Sequence, residues 1–140
     1  MRSGFFYYFI LRMYLICYAE FIENDRFHEI INKVTRLKNL YNELGEPKRI
    51  RCYMIKRKPY PTDYITVVFT HVSGVGYPTG VVLFRAMNRL PFSPLGFCQW
   101  GEALQHNFKP GGSRVKFSDL PKDCREVALR DYKELWESSA

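Results

Sequence analysis

Apolar residues between positions 27 and 44 recur at steps of three and four, which is the spacing of a helix with one buried face. The polar pair Asn24-Asp25 can cap this helix, and Gly45 followed by Pro47 ends it. The pattern therefore predicts an amphipathic helix over residues 24–44 that docks on a sheet. The same spacing would serve a coiled-coil seam between two copies of the chain, so a homo-oligomer is the alternative interpretation.

Three further segments are predicted to form strands. The first, 48–58, is strongly basic, and Pro59-Tyr60-Pro61 then forms a turn that cannot extend a strand ladder. The segment 64–72 has high β-propensity and is predicted to lie centrally in a sheet. The segment 81–87 follows a glycine-rich linker and is predicted to be its hairpin partner.

The N-terminal segment 5–18 is almost continuously apolar and is predicted as a further, buried strand, because its aromatic and β-branched residues suit one. Arg12 interrupts the run near its centre, where a secretion signal or a membrane span should carry no charge. No membrane association is therefore expected. A secreted or anchored protein with a signal over residues 4–19 is one alternative, and a chain that starts at Met13 is another.

From residue 88 onward, the chain changes from an irregular to a helical pattern. Residues 88–116 are rich in proline and glycine and show no clear period, apart from a short helix predicted around Glu102 to Asn107, so this segment is a candidate functional loop. Helical spacing resumes after Pro121 and predicts a helix that covers a sheet face. The expected fold is one α+β domain over residues 1–140, with a single small, mostly antiparallel sheet of about four strands and two packed helices.

Positive charge is concentrated in one segment. The chain has 21 Lys or Arg against 14 Asp or Glu, a formal net charge of +7, and the segment 48–58 contains six cations and no anion. Such a cluster favours a small basic binding protein that contacts nucleic acid or another polyanion, with an acidic protein surface as the alternative partner. Cations also protect an exposed edge strand from aggregation, which is the purely structural interpretation. The six cations are Lys48, Arg49, Arg51, Lys56, Arg57 and Lys58.

The four cysteines lie far apart in the sequence and form no Cys-x-x-Cys pair. This favours reduced, mostly buried thiols and a cytoplasmic protein over a secreted domain stapled by disulfides. No metal or cofactor site is predicted. The alternative is a zinc site assembled from distant ligands, namely Cys52, Cys98, His71 and His106.

A histidine at a predicted strand end is the first candidate for catalysis. Residues 70–73, Thr-His-Val-Ser, resemble one half of the paired His-x-Ser/Thr signature of the two-histidine phosphoesterases. The second half is missing, since neither His28-Glu29-Ile30 nor His106-Asn107-Phe108 supplies it, and the activity of that family is not carried over. His71 would still be well placed to act as a general base.

A second group of reactive side chains follows in the predicted loop. Cys98 can serve as a nucleophile, and Glu102 can orient His106 if the two lie one helical turn apart. With His71, these residues would line the pocket of a small hydrolase or phosphoesterase-like enzyme, which is the alternative to polyanion binding. A regulatory module that binds another protein through the helix over 24–44 or the aromatic loop is the third hypothesis.

Overall fold

The computed structural model describes residues 9–12, 24–56 and 63–137. Contacts between residues divide the chain into two compact units, Met1–Lys48 and Arg49–Ala140. The single domain expected over residues 1–140 stays a prediction.

The main described element of the first unit is helix α1, Asn24–Leu40. Val34 and Leu40 of its apolar stripe are buried, whereas Lys38 is exposed. The predicted amphipathic helix is thus confirmed, although it ends at Leu40 rather than at residue 44.

A turn built around Asn42 ends α1. The side-chain Oδ1 of Asn42 accepts hydrogen bonds from the backbone N–H groups of Leu44 and Glu46, both at 2.9 Å. Gly45 sits between them with a φ of 75°, a left-handed conformation that glycine adopts without steric cost. A side chain that accepts backbone N–H groups competes with helix continuation, which is why apolar spacing alone placed the helix end too late.

A short part of the predicted N-terminal strand 5–18 falls within the described residues. Residues 9–12 are helical, so the strand is wrong at these four positions, and the remainder lies outside the described residues. The segment is apolar at nearly every position, and an apolar run without alternation does not distinguish a strand from a helix. The alternatives of a signal over 4–19 and a start at Met13 stay predictions.

The described part of the second unit contains one antiparallel sheet of five strands in the order β4-β3-β2-β1-β5. The strands are β1 (Ile50–Ile55), β2 (Tyr64–Phe69), β3 (Val81–Met87), β4 (Cys98–Leu104) and β5 (Ser113–Val115). As predicted, β2 is central and β3 is its hairpin partner. The α+β class with a single antiparallel sheet is confirmed, with five strands rather than about four.

Directly opposed residues of antiparallel strands share one face of the sheet. The strand register therefore places Cys52, Val67, Arg85 and Trp100 together on what we term the first face. This face carries the largest buried side chains of the sheet, which are Ile65, Val67, Phe69, Leu83 and Met87. It is the main apolar core of the second unit.

Helix α2, Lys122–Trp136, packs on the first face, because its Asp131 carboxylate bonds the Arg85 guanidinium of β3. Pro121 precedes the helix, in agreement with the predicted start. Its buried side chains recur at helical spacing and are Cys124, Val127, Ala128, Asp131, Tyr132 and Trp136. The predicted covering helix is confirmed.

The irregular segment predicted over 88–116 contains β4 and β5, so that interpretation is wrong for both strands. The short helix predicted around Glu102 to Asn107 is also wrong, since Glu102 lies within β4. Gly101 suggested a break in structure, yet a Cβ at this position would lie 2.4 Å from the ring of Phe84 on the neighbouring strand. The glycine therefore makes room for cross-strand packing within a continuous strand.

Asn88 organises the connection between β3 and β4. Its buried side-chain Oδ1 accepts hydrogen bonds from the backbone N–H groups of Leu90 at 3.1 Å and Phe97 at 3.2 Å. A Cβ at Gly96 would lie 1.6 Å from the carbonyl oxygen of Leu90, so this position requires glycine. One buried amide thus satisfies the backbone of a loop whose composition suggested irregularity.

Every helix in the described part of the chain is too short or too polar to cross a membrane.

Candidate functional site

Strand β1 contains the middle of the basic segment, and its side chains alternate between the two faces of the sheet. Cys52 and Met54 are buried on the first face. Arg51 and Tyr53 point to the opposite, second face, where Arg51 is exposed and Tyr53 is half-buried. Of the described cations in this segment, Arg51 is the one that β1 itself presents to solvent.

Two of the other predicted cations are engaged in contacts within the protein. The exposed Lys48 donates a hydrogen bond from Nζ to the backbone carbonyl of Lys38 at 3.0 Å. The half-buried Arg49 places its guanidinium carbon 4.5 Å from the centre of the Trp136 ring, within cation–π range. Each of these two cations therefore has a partner within the protein.

The remaining three predicted cations lie at the end of β1 or beyond it. Lys56 directly follows the strand and is exposed. Arg57 and Lys58 lie outside the described residues.

Strand β5 adds further cations beside β1. It pairs with β1 so that Arg114 lies directly opposite Tyr53, and both Arg114 and the adjoining Lys116 are exposed. Opposed Cβ atoms lie about 5 Å apart and diagonal neighbours about 7 to 8 Å apart, so Arg51, Tyr53 and Arg114 form one patch on the second face. We name the set Arg51, Tyr53, Arg114 and Lys116 the basic edge.

The position of β1 in the sheet argues against the interpretation that its cations protect an exposed edge strand from aggregation. Because β5 pairs with residues 52–54, the middle of β1 is not an exposed edge in need of protection. The ion pairs among the described residues are Arg85–Asp131 and Arg89–Asp63, and neither involves the basic edge. Its cations are therefore exposed and have no ion-pair partner within the described part of the chain.

A small cavity opens where β2 ends, next to Arg51. Its volume is about 210 Å³. Arg51 and Val82 border it, and both belong to the second face. We name it the strand-end cavity; its polar lining residues are Arg51, Thr70, His71, Ser73, Thr79 and Gln105. A cation, an imidazole, three hydroxyls and an amide are the groups that hydrogen-bond an anion.

His71 has an unusual backbone conformation at the mouth of this cavity. Its φ of 61° and ψ of 29° lie in the left-handed region, and among the described non-glycine residues it alone has a positive φ. Such a conformation costs about 1 to 3 kcal/mol in a non-glycine residue and is concentrated at functional sites. The imidazole Nδ1 lies 3.0 Å from the hydroxyl oxygen of Thr70. The surrounding structure therefore maintains an unfavourable backbone conformation at a residue whose exposed imidazole lies beside a hydroxyl and lines the same cavity as Arg51.

The other predicted catalytic residues lie along and after β4. Cys98 begins this strand and pairs with Met87, whereas Glu102 pairs with Leu83 near the other end. Four residues of a strand span about 14 Å, so Cys98 and Glu102 do not share one catalytic centre. The turn after β4 contributes Gln105 to the strand-end cavity, but neither Glu102 nor the exposed His106 lines it.

The described thiols differ in exposure. Cys52 and Cys124 are buried and Cys98 is half-buried, whereas Cys17 lies outside the described residues. Burial raises the pKa of the Cys124 thiol to about 12, and the charge of Asp123 acts in the same direction. A thiol in that environment stays protonated and is a poor nucleophile. Across the described residues, no three His, Cys, Asp or Glu side chains converge to hold a metal ion, the zinc ligands considered above included.

A larger cavity of about 410 Å³ lies between the first face and α2. Arg85, Asp131 and Trp100 line this cavity. The Nε and Nη2 atoms of Arg85 donate to the two Asp131 oxygens at 2.8 and 2.9 Å, and its guanidinium lies 4.8 Å from the Trp100 ring centre. The bond to Asp131 is the main cause that raises the pKa of Arg85. Within this cavity, the charges of Arg85 and Asp131 are therefore paired with each other.

Comparison of the chain with protein-family models, curated proteins and solved structures found no match. The function is therefore inferred from the geometry of the basic edge and the strand-end cavity.

Sequence reasoning missed Arg114, because β5 is three residues long and follows a Pro-Gly-Gly turn. It also missed Gln105 and Thr79, which reach the strand-end cavity only through strand pairing. Proximity of Arg51 to His71 had no signal in the sequence, since twenty residues separate them. That proximity follows from the pairing of Arg51 with Val68, two residues before Thr70.

Proposed function

We propose that this chain is a binding protein for single-stranded nucleic acid, which it contacts through the basic edge, with Lys56 beside it. The observation that carries the proposal is the register of β5, which sets Arg114 opposite Tyr53 and diagonal to Arg51. Three features support it: exposed cations, the absence of ion-pair partners for them among the described residues, and an aromatic ring in their midst.

The chemistry of the basic edge favours phosphate as the anion. An arginine guanidinium is planar and binds phosphate through two parallel hydrogen bonds, which an ammonium group cannot do. A tyrosine between the cations offers a ring on which a base can stack, and proteins that bind single strands combine these two elements. An acidic protein surface would use the same charges but has no need of the ring.

Fluorescence anisotropy with a labelled, mixed-sequence single-stranded 15-mer tests the proposal. If two or three phosphates are neutralised, affinity should fall about 7- to 20-fold between about 50 and 200 mM salt. The double variant Arg51→Glu/Arg114→Glu should weaken binding at least about tenfold at the lower salt.

A matched control separates local contact from net charge. Arg130 and Lys133 are exposed on α2, which covers the first face, so Arg130→Glu/Lys133→Glu changes the net charge equally at a distance from the basic edge. This control should keep most of the affinity. Equal losses in the two double variants, or no binding to RNA or DNA at the lower salt, would overturn the proposal.

A further inference from the structure

The strand-end cavity continues the surface of the basic edge. Arg51 belongs to both, and along β1 it lies two residues, or about 7 Å, from Tyr53. Thr70 lies about the same distance further along the neighbouring strand, since Val68 is the partner of Arg51. A strand bound on the basic edge that runs in this direction arrives at His71.

The cavity differs from the basic edge in its shape and in its polar groups. At about 210 Å³ it accommodates a phosphate group but not a folded segment of nucleic acid. Its three aliphatic hydroxyls, at Thr70, Ser73 and Thr79, can donate to phosphate oxygens, whereas the basic edge offers the single phenolic hydroxyl of Tyr53. A phosphodiester within a chain continues on both sides, whereas a terminal phosphate monoester has three free oxygens and can enter a closed recess.

We propose that the strand-end cavity binds the terminal phosphate monoester of the single strand held by the basic edge. Arg51 supplies the charge, and His71 and the hydroxyls of Thr70 and Ser73 supply hydrogen bonds. The left-handed backbone of His71 is unfavourable by itself and is maintained at a residue that lines the cavity, as is typical of functional sites. This inference rests on the proposed function and adds a preference for the end of the strand.

The test compares otherwise identical single-stranded oligonucleotides that end in a 5′-phosphate, a 3′-phosphate or hydroxyls only. One of the two phosphorylated ends should bind at least about tenfold more tightly than the hydroxyl-ended strand, because charge-assisted hydrogen bonds are added. The oligonucleotide that binds more tightly identifies whether the 5′ or the 3′ terminus enters the cavity.

Variants of residues inside and outside the cavity then test whether the terminal phosphate binds there. Asparagine tolerates the left-handed conformation, so His71→Asn removes the imidazole without imposing the strain that alanine would feel there. His71→Asn should lose most of the preference for the phosphorylated end yet bind the hydroxyl-ended strand as before. Ser73→Ala should reduce the preference by a smaller factor, and His106→Asn, outside the cavity, should leave it unchanged.

The outcomes separate this inference from the proposed function. Equal affinity for all three ends, with salt dependence intact, overturns the terminal-phosphate site and leaves the binding function in place. A preference that survives in both His71→Asn and Ser73→Ala also overturns it, because the phosphate is then recognised elsewhere. Failure of every strand to bind overturns the proposed function as well.

Discussion

Arg85 and Arg51 both belong to the central part of one sheet, but their surroundings differ. Arg85 lies on the first face, its side chain 17% exposed, with two hydrogen bonds to a buried carboxylate and an aromatic ring within 4.8 Å. Arg51 lies on the second face, exposed and without an ion-pair partner among the described residues. A buried cation whose hydrogen bonds are met within the protein serves stability, whereas an exposed cation without such a partner is available to a ligand.

The largest expected effect is at the partner of Arg85. Asp131→Ala should reduce the free energy of unfolding by about 2 to 3 kcal/mol, because a partly buried guanidinium loses two charge-assisted hydrogen bonds. Urea unfolding followed by circular dichroism measures this change. Glu126→Ala, at an exposed position of α2, is the control and should cost no more than about 0.5 kcal/mol. Similar small losses in both variants would show that the Arg85–Asp131 pair does not stabilise the fold.

An intermediate effect is expected at Trp100, which is 41% exposed and contacts both Arg85 and Phe69. Trp100→Leu should cost about 1 to 2 kcal/mol, from a partly exposed cation–π contact and an aromatic pair. The same urea titration measures it. Leu95→Ala, at a position 83% exposed, removes apolar surface without such contacts and should be nearly neutral. A loss at Leu95 as large as that at Trp100 would show that the contacts of Trp100 with Arg85 and Phe69 do not stabilise the fold.

The smallest effect is expected on the second face. Arg51→Gln/Arg114→Gln should change the free energy of unfolding by no more than about 0.5 kcal/mol, since neither side chain forms an ion pair with any of the described residues. The same variant should bind single-stranded nucleic acid more weakly, so stability and binding are measured on one preparation. A destabilisation above about 1 kcal/mol would mean that these arginines are structural and would remove the contrast with Arg85.

Several elements could be predicted from the sequence because their signals are local. Helical spacing identified α1 and α2, and β-branched runs identified β2 and β3 together with their pairing. The strand β4 was missed because Gly101 interrupts its pattern, although that glycine is required by the ring of Phe84. Residues 9–12 were predicted to be part of a strand but are helical, because a continuous apolar run has no period that distinguishes a strand from a helix.

The candidate site was predicted only in part. The concentration of cations at 48–58 predicted a contact with a polyanion, and that contact stays a prediction. The structure leaves Arg51 and Lys56 exposed, whereas Lys48 and Arg49 are engaged in contacts within the protein. The predicted catalytic group did not converge, because Cys98 and Glu102 lie on one extended strand about 14 Å apart. Of the four residues predicted as catalytic candidates, His71 lines the strand-end cavity and the other three do not. Those three are Cys98, Glu102 and His106.

The sequence by itself determined what depends on neighbours along the chain: the two amphipathic helices, the central strands, the net charge and its concentration around β1. Tertiary structure decided what depends on partners far apart in sequence. Strand register brought Arg114 beside Tyr53 and set Arg51 at the cavity that contains His71, while packing gave Arg85 its carboxylate on α2. The physical reason is that periodicity specifies which side of an element is buried, whereas pairing between strands specifies which side chains meet.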